Sequence, residues 1–153
     1  MKITDFLNVN AISADLKATN KEEVIKELVD LLDKAEPIKA KDALTKRLME
    51  REALGSTGIG QGIGIPHAKC NAVKELTGAL SISHKGVDFD SLDGEPTYIF
   101  FLLVAPEDAA GPHLKALATI SRMLKNRFFR ESLISAKDTD TILNIITKEN
   151  PKT

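Results

Sequence analysis

The spacing of hydrophobic residues predicts two amphipathic helices in the first third of the chain. Residues 21–33 place five apolar side chains on one helical face: Val24, Ile25, Leu28, Leu31 and Leu32. Asn20 followed by Glu23 has the capping-box pattern of a helix start. A second helix is predicted over residues 40–53, just before Gly55, with one apolar row formed by Ala40, Leu44 and Leu48.

Three more helices are predicted toward the end of the chain. Pro112 is typical of the first turn of a helix, and this helix is predicted to extend to about Lys125. Four of its side chains are expected to face the core: Leu114, Leu117, Ala118 and Leu124. Two shorter helices are predicted near residues 127–135 and 139–148.

The middle of the chain predicts strands. Residues 79–84 show the two-residue alternation of a half-buried strand. Residues 98–104 are apolar on both faces, which is typical of a central strand covered by helices on both sides. Ile63 and Ile65 alternate with glycines and predict a short strand that leads to His67. Because helices come before, between and after the strands, we expect an α/β fold, a three-layer sandwich with a mixed parallel and antiparallel sheet flanked by helices on both faces.

Composition narrows the possible partners and location. A length of 153 residues predicts a single domain over 1–153. A formal net charge of −1 gives no indication of nucleic-acid binding. Residues 1–6 lack the apolar core of a signal peptide, and the longest apolar run, Tyr98 to Ala105, is too short to span a membrane. One cysteine excludes an internal disulfide and favours a reducing compartment, so we expect a cytoplasmic protein.

A glycine-rich segment before His67 is the main candidate for a functional site. The segment contains the predicted phosphate-binding positions Gly55, Ser56, Thr57, Gly58, Gly60, Gly62 and Gly64. Repeated glycine lets backbone approach a ligand closely, at an entropic cost that packing alone does not explain. The segment lacks the Gly-Lys-Ser/Thr of a P-loop and the spacing of a dinucleotide fingerprint, so we expect no nucleotide and no other cofactor.

The chain has three histidines with different candidate roles. His67 follows the glycine-rich segment, and its imidazole is a candidate nucleophile, although a histidine at a strand end can also be purely structural. His113 lies at a predicted helix start, where an incoming phosphate meets free N–H groups. His84 is expected to be exposed and uninvolved. A metal site from His67, Cys70 and His113 is disfavoured because structural zinc usually has more thiolates in paired spacing.

Arg51 is the candidate cation beside His67. It ends the second predicted helix, where a cation complements the helix dipole, and it directly precedes the glycine-rich segment, where a guanidinium can bind phosphate oxygens in a bidentate manner. A glycine backbone, a histidine nucleophile, a second histidine and one arginine together indicate phosphoryl transfer through a phosphohistidine.

Three segments strongly resemble the enzyme IIA domain of the fructose–mannitol type of the bacterial phosphoenolpyruvate-dependent sugar phosphotransferase system. They are Arg51 to Gly60, Gly62 to Lys69, and His113 to Leu117, and the likeness extends over nearly the whole chain. The resemblance implies that His67 is phosphorylated, that His113 supports it and that Arg51 helps hold the phosphate. It also implies a mixed sheet flanked by helices on both faces.

The resemblance also implies the partners. Phosphate arrives from the phosphocarrier HPr and leaves to a cysteine of the IIB component, which serves the membrane IIC permease for uptake of a fructose-class sugar or a hexitol. Nitrogen-type relatives have the same histidine but act by phosphorylation-dependent binding to regulatory targets. The sequence leaves this alternative open, because only Ala68-Lys69 and the Leu114–Leu124 helix favour the sugar-transport branch.

Overall fold

The structure is a computed structural model, and it describes residues 1–149. Five α-helices lie within this range: α1 (Lys21–Ala35), α2 (Lys41–Ala53), α3 (Ala110–Leu124), α4 (Arg127–Ser135) and α5 (Thr139–Glu149). Six strands form one sheet: β1 (Leu7–Ser13), β2 (Gly58–Gly60), β3 (Ile63–Gly64), β4 (His67–Lys69), β5 (Thr77–Val87) and β6 (Thr97–Ala105). None of the helices in residues 1–149 has both the length and the apolar composition needed to cross a membrane.

The sheet mixes parallel and antiparallel pairs around β6, as the sequence predicts. Its order is β1-β5-β6-β3-β2, and β4 pairs with β6 beyond the end of β3. Strand β6 is antiparallel to β5 and parallel to both β3 and β4, while β1 is parallel to β5. Strands β3 and β4 therefore lie end to end along β6 and are separated only by Ile65 and Pro66.

Two hydrophobic layers cover the two faces of the sheet and confirm the predicted three-layer sandwich. Along β6, alternate residues point to opposite sides. Ile99 and Leu103 pack with buried residues of α3, α4 and α5, whereas Phe100 and Leu102 pack with buried residues of α1 and α2. This arrangement explains why residues 98–104 are apolar on both faces, since the strand is covered on both sides.

Particular residues mark the start of α1 and the end of α2. The Asn20 side chain accepts a hydrogen bond from the Glu23 N–H and caps α1, as predicted. Helix α2 ends at Ala53, and the Gly55 N–H donates to the Glu52 carbonyl just beyond it. This ending places Arg51 in the last turn of α2, directly before the glycine-rich segment.

The predicted place of Pro112 in the first turn of α3 is confirmed, whereas the predicted inward face is only partly right. The helix begins at Ala110, so Pro112 is its third residue, and the His113 N–H already donates to the Ala109 carbonyl. Leu114 is 67% exposed and Ala118 is also exposed, while the buried row of the helix consists of His113, Ala116, Thr119, Ile120, Met123 and Leu124. Leu117 and Leu124 face the core as predicted, but the helix is rotated so that the polar His113 also faces inward in place of Leu114.

Candidate functional site

His67 begins strand β4, and its ring is fixed by the backbone that precedes the strand. Its Nδ1 lies 2.7 Å from the Ile65 carbonyl oxygen, which can only accept a hydrogen bond. Nδ1 therefore holds the proton in this contact, and Nε2 retains a free lone pair. The predicted strand before His67 is interrupted at Ile65–Pro66, and this interruption is what turns the Ile65 carbonyl toward the ring.

The structure brings His113 to His67 from the helical layer. His113 is the fourth residue of α3 and is 7% exposed, and the centroids of the two rings lie 5.5 Å apart with a 55° angle between their planes. His113 Nε2 is buried without a hydrogen-bond partner. A buried polar atom with no partner costs free energy, so this nitrogen is an open position for a polar group that enters the site.

Both histidines are held neutral near physiological pH. Burial lowers the pKa of His67, and the charge of Arg51 lowers it further, against the opposing effects of the Ile65 carbonyl and Glu52. Burial also lowers the pKa of His113, to about 4, with smaller contributions from His67 and Lys69. A neutral imidazole has the lone pair that a nucleophile needs.

An open cleft of about 630 Å³ lies over the two histidines. It is lined by Arg47, Glu50, Arg51, Ala53, Leu54, His67, Ala68, Lys69 and His113. Three of these side chains are cationic, one is acidic, and Leu54 is 86% exposed at the rim. The balance of charge favours an anion in the cleft, and the openness admits a group presented on the surface of another protein.

Arg51 lies in this cleft, as predicted, and its position fits both of the roles considered for it. Its Nη1 donates to the Gly55 carbonyl oxygen at 2.7 Å, which stabilises the chain just beyond α2. This contact uses one of the five guanidinium N–H donors and holds the planar group at the cleft wall. The remaining donors can bind the oxygens of an anion.

The glycine-rich segment forms a hairpin beside the site, and its glycines do not appear among the residues that line the cleft. The N–H groups of Gly55, Thr57 and Gly58 already donate to Glu52 or Ser56. Gly60 and Gly62 have φ values of 96° and 80°, which glycine adopts readily, at the turn between β2 and β3. Contact of Gly55, Ser56, Thr57, Gly58, Gly60, Gly62 and Gly64 with phosphate stays a prediction.

The sequence analysis missed a polar network that braces β4. Arg47 donates to the Lys69 carbonyl oxygen at 3.0 Å and to Glu107 at 2.9 Å, and Glu107 also accepts from the Asn71 amide. These contacts join α2, the end of β4 and the loop after β6. No motif in the sequence indicates this network, because its members are up to 60 residues apart.

The other candidate residues lie outside this arrangement. Cys70 is buried and its N–H donates to the Ala105 carbonyl oxygen. His84 is exposed, and its Nε2 lies 2.7 Å from the Ala14 carbonyl oxygen. Among residues 1–149, no group of three or more histidine, cysteine, aspartate or glutamate side chains is arranged to hold a metal ion.

Comparison with known proteins supports the family and the fold that the sequence analysis predicts. Residues 5–149 match the family described as "Phosphoenolpyruvate-dependent sugar phosphotransferase system, EIIA 2". The fructose-specific EIIABC component of Bacillus subtilis is 39% identical over 150 residues, which are 98% of this chain and 24% of that protein. The chain thus spans about a quarter of the length of this relative.

Proteins named for nitrogen regulation are also similar. A nitrogen regulatory protein of Bradyrhizobium diazoefficiens is 35% identical over 148 residues, which cover 95% of each chain. The crystal structure of nitrogen regulatory protein IIA-Ntr from Neisseria meningitidis superposes with a TM-score of 0.85 at 32% identity, over 94% of this chain and 98% of that one. The match to the family and these full-length similarities show that the chain belongs to the EIIA type 2 family of the phosphoenolpyruvate-dependent sugar phosphotransferase system.

Proposed function

We propose that the protein is a phosphocarrier that accepts phosphate from phosphorylated HPr on His67 and passes it to a cysteine of a IIB component. It acts in the cytoplasm and serves, through IIB and the IIC permease, the uptake of a fructose-class sugar or a hexitol. The observation that supports this most is the His67 ring, which presents Nε2 in a cationic, open cleft while Nδ1 is bonded to a carbonyl.

The chemistry needs only two displacements at phosphorus. The Nε2 lone pair of His67 attacks the phosphorus, and the bond from phosphorus to the ring nitrogen of HPr breaks. In the second step a IIB thiolate attacks the same phosphorus, and the bond to His67 breaks. Each step returns the electron pair to a nitrogen, so no oxidant or metal is required. The protein contributes position and charge neutralisation.

The side chains around His67 are suited to the negative charge of a phosphoryl group. A phosphohistidine adds about −1.5 to −2 charge near neutral pH. Arg51 and Lys69 are basic side chains that line the cleft, and His113, whose ring centroid lies 5.5 Å from that of His67, has an unpartnered Nε2. A nearby anion favours the charged form of an imidazole, so phosphorylation of His67 is expected to raise the lowered pKa of His113, and an N–H of this ring can then donate to the phosphate.

The nitrogen-type regulatory role is a second candidate with support of its own. The two proteins named for nitrogen regulation that are described above both match this chain over nearly their whole length. In this alternative His67 is phosphorylated in the same cleft, but the phosphorylated form acts by binding a regulatory protein. The two candidates therefore differ only in what happens after His67 is loaded.

A two-stage transfer experiment tests the proposal. The protein is first loaded from phosphorylated HPr, and the label is expected to be lost in acid and kept in alkali, as a phosphoramidate is. Loaded protein is then mixed with IIB domains of the fructose and mannitol types, and we expect the label to move to a IIB cysteine. His84→Ala is the matched control, because His84 is exposed and outside the cleft.

Each stage has an outcome that contradicts a part of the proposal. No loading of the folded protein contradicts both candidate functions. Loading with no transfer to either IIB domain contradicts sugar transport, and phosphorylation-dependent binding of a regulatory protein then supports the alternative. An acid-stable label points to serine, threonine or another acceptor instead of a histidine.

A further inference from the structure

A buried carboxylate lies behind the catalytic cleft and has no role in the transfer described above. The side chain of Glu52, the residue after Arg51, is only 2% exposed. It is fully partnered: Oε1 accepts from the Thr57 N–H at 3.1 Å, Oε2 contacts the Thr57 hydroxyl, and Lys21 Nζ lies 3.2 Å from Oε1. Burying a carboxylate is costly even when it is paired, so its presence here calls for a reason.

A continuous hydrogen-bond path leads from this carboxylate to the His67 ring. Glu52 holds Thr57 through both the backbone N–H and the hydroxyl. The Thr57 carbonyl accepts from the Ile65 N–H at 3.0 Å. The Ile65 carbonyl in turn accepts from His67 Nδ1 at 2.7 Å. The path crosses from the end of α2 to the β2–β3 hairpin and then to the residue pair before β4.

We propose that Glu52 is a positioning residue for His67, acting through Thr57 and Ile65 to hold the ring in its Nδ1–H tautomer. The tautomer decides which nitrogen is free to attack phosphorus. The carbonyl that selects it lies at an interruption between two short strands, where the sheet ladder alone does not fix its direction. Two hydrogen bonds from Thr57 to one buried carboxylate fix both the backbone and the side chain of Thr57.

Lys21 offsets the cost of burying the Glu52 carboxylate. Its ammonium pairs with Glu52 and with Asp90 and lies 5.0 Å from the centroid of the Phe89 ring. Glu52 is thus neutralised by a side chain from α1 and not by the cations of the cleft. Arg51 consequently remains available to the phosphate, although it is the neighbour of Glu52 in sequence.

The proposal rests on the proposed function, but nuclear magnetic resonance of the His67 ring nitrogens tests it without any phosphate. The result is therefore independent of whether the protein transfers phosphate. In the parent protein, we expect the signals of the Nδ1–H tautomer. In Glu52→Gln, which can offer Thr57 only one acceptor oxygen, and in Thr57→Val, which lacks the hydroxyl, we expect the signals to move toward the Nε2–H tautomer. Uptake of phosphate from phosphorylated HPr should fall about 10- to 100-fold in both.

Two further variants separate positioning from general stability. Thr57→Ser keeps the hydroxyl and is expected to keep the tautomer of the parent. Glu27 lies on α1, away from the cleft, and its carboxylate accepts hydrogen bonds from the N–H groups of Lys17 and Ala18. The His67 signals of Glu27→Gln should therefore equal those of the parent. Thermal melts establish which variants are folded, and Thr57→Val decides if Glu52→Gln does not fold.

The proposal is overturned by any of three results. One is a parent protein whose His67 signals are those of the Nε2–H tautomer. Another is a folded Glu52→Gln or Thr57→Val protein with an unchanged His67 tautomer. The last is a Glu27→Gln protein that moves the His67 signals as much as Glu52→Gln does, because the effect then reflects a loss of stability and not the path through Thr57.

Discussion

The two histidines of the cleft are close in space but are held in opposite ways. His67 stands at the start of a short strand, and one ring nitrogen is committed to a backbone carbonyl. His113 stands on a helix, is 7% exposed, and has a buried Nε2 with no partner. The contrast fits the proposed roles. A nucleophile has to present one defined atom, which a fixed ring does, and a supporting residue has to respond to a charge that comes and goes, which a polar atom without a partner can do.

The difference extends to the elements that hold the rings. His67 depends on a chain of hydrogen bonds through Ile65 and Thr57, all made by short, irregular segments. His113 depends on packing, because α3 rests on the sheet through Ala116 and Ile120. Changes at His67 are therefore expected to abolish uptake of phosphate, and changes at His113 to slow mainly its onward transfer.

Replacement of the nucleophile gives the largest expected effect. His67→Ala should remain folded and lose uptake of phosphate from phosphorylated HPr by at least roughly 1,000-fold, because the proposed covalent intermediate forms on this ring. The measurement is incorporation of labelled phosphate, with His84→Ala as the control. Parental rates of uptake in His67→Ala would contradict the assignment of the nucleophile.

Replacement of the supporting histidine should separate the two stages of transfer. We expect His113→Ala to accept phosphate and to pass it on about 100- to 1,000-fold more slowly, since a partner that orients or charges a catalytic histidine typically matters by orders of magnitude. Loading and transfer are measured in separate assays. Equal losses in both stages would mean that His113 acts on His67 before the phosphate arrives and that the contrast drawn above is wrong.

Two substitutions of Arg51 test whether the charge or the planar shape of its side chain holds the phosphate. Arg51→Gln removes the charge and should slow phosphorylation about 100-fold. Arg51→Lys keeps the charge without the planar fork and should be intermediate. Both should melt near the temperature of the parent, because a cation at a helix end contributes only about 0.3–1 kcal/mol. If Arg51→Gln is phosphorylated like the parent, Arg51 serves α2 and not the phosphate.

Acid should destabilise the protein through the buried histidine, and this is the smallest of the four effects. His113 has a pKa of about 4 in the folded protein and an ordinary value of 6.5. Between these values the unfolded chain binds more protons, so the free energy of unfolding falls as the pH is lowered from 6.5 toward 4. In His113→Gln this contribution is absent, so melting temperatures should fall less across the same range. An identical decline in both proteins would contradict the burial of a neutral His113.

Much of the fold follows from the periodicity of the sequence. The helices near 127–135 and 139–148 lie within two residues of α4 and α5, and the doubly apolar run at 98–104 is the covered strand β6. Such long, regular patterns are reliable because each residue adds to the same burial face. The inward face of α3 was predicted only in part, because Leu114 and Ala118 are exposed while the polar His113 is buried.

Only part of the candidate site could be predicted from the sequence. The order of residues along the chain pointed to His67 and Arg51, which both line the cleft, because the glycine-rich segment between them is visible without a structure. The approach of His113 to His67, the burial that lowers the pKa of both rings and the path from Glu52 through Thr57 and Ile65 are contacts between distant segments. The sequence by itself determined which groups can do chemistry, since that depends on residue type. Only the tertiary structure decided which of them meet, since helix rotation and strand interruption depend on how all the layers pack together.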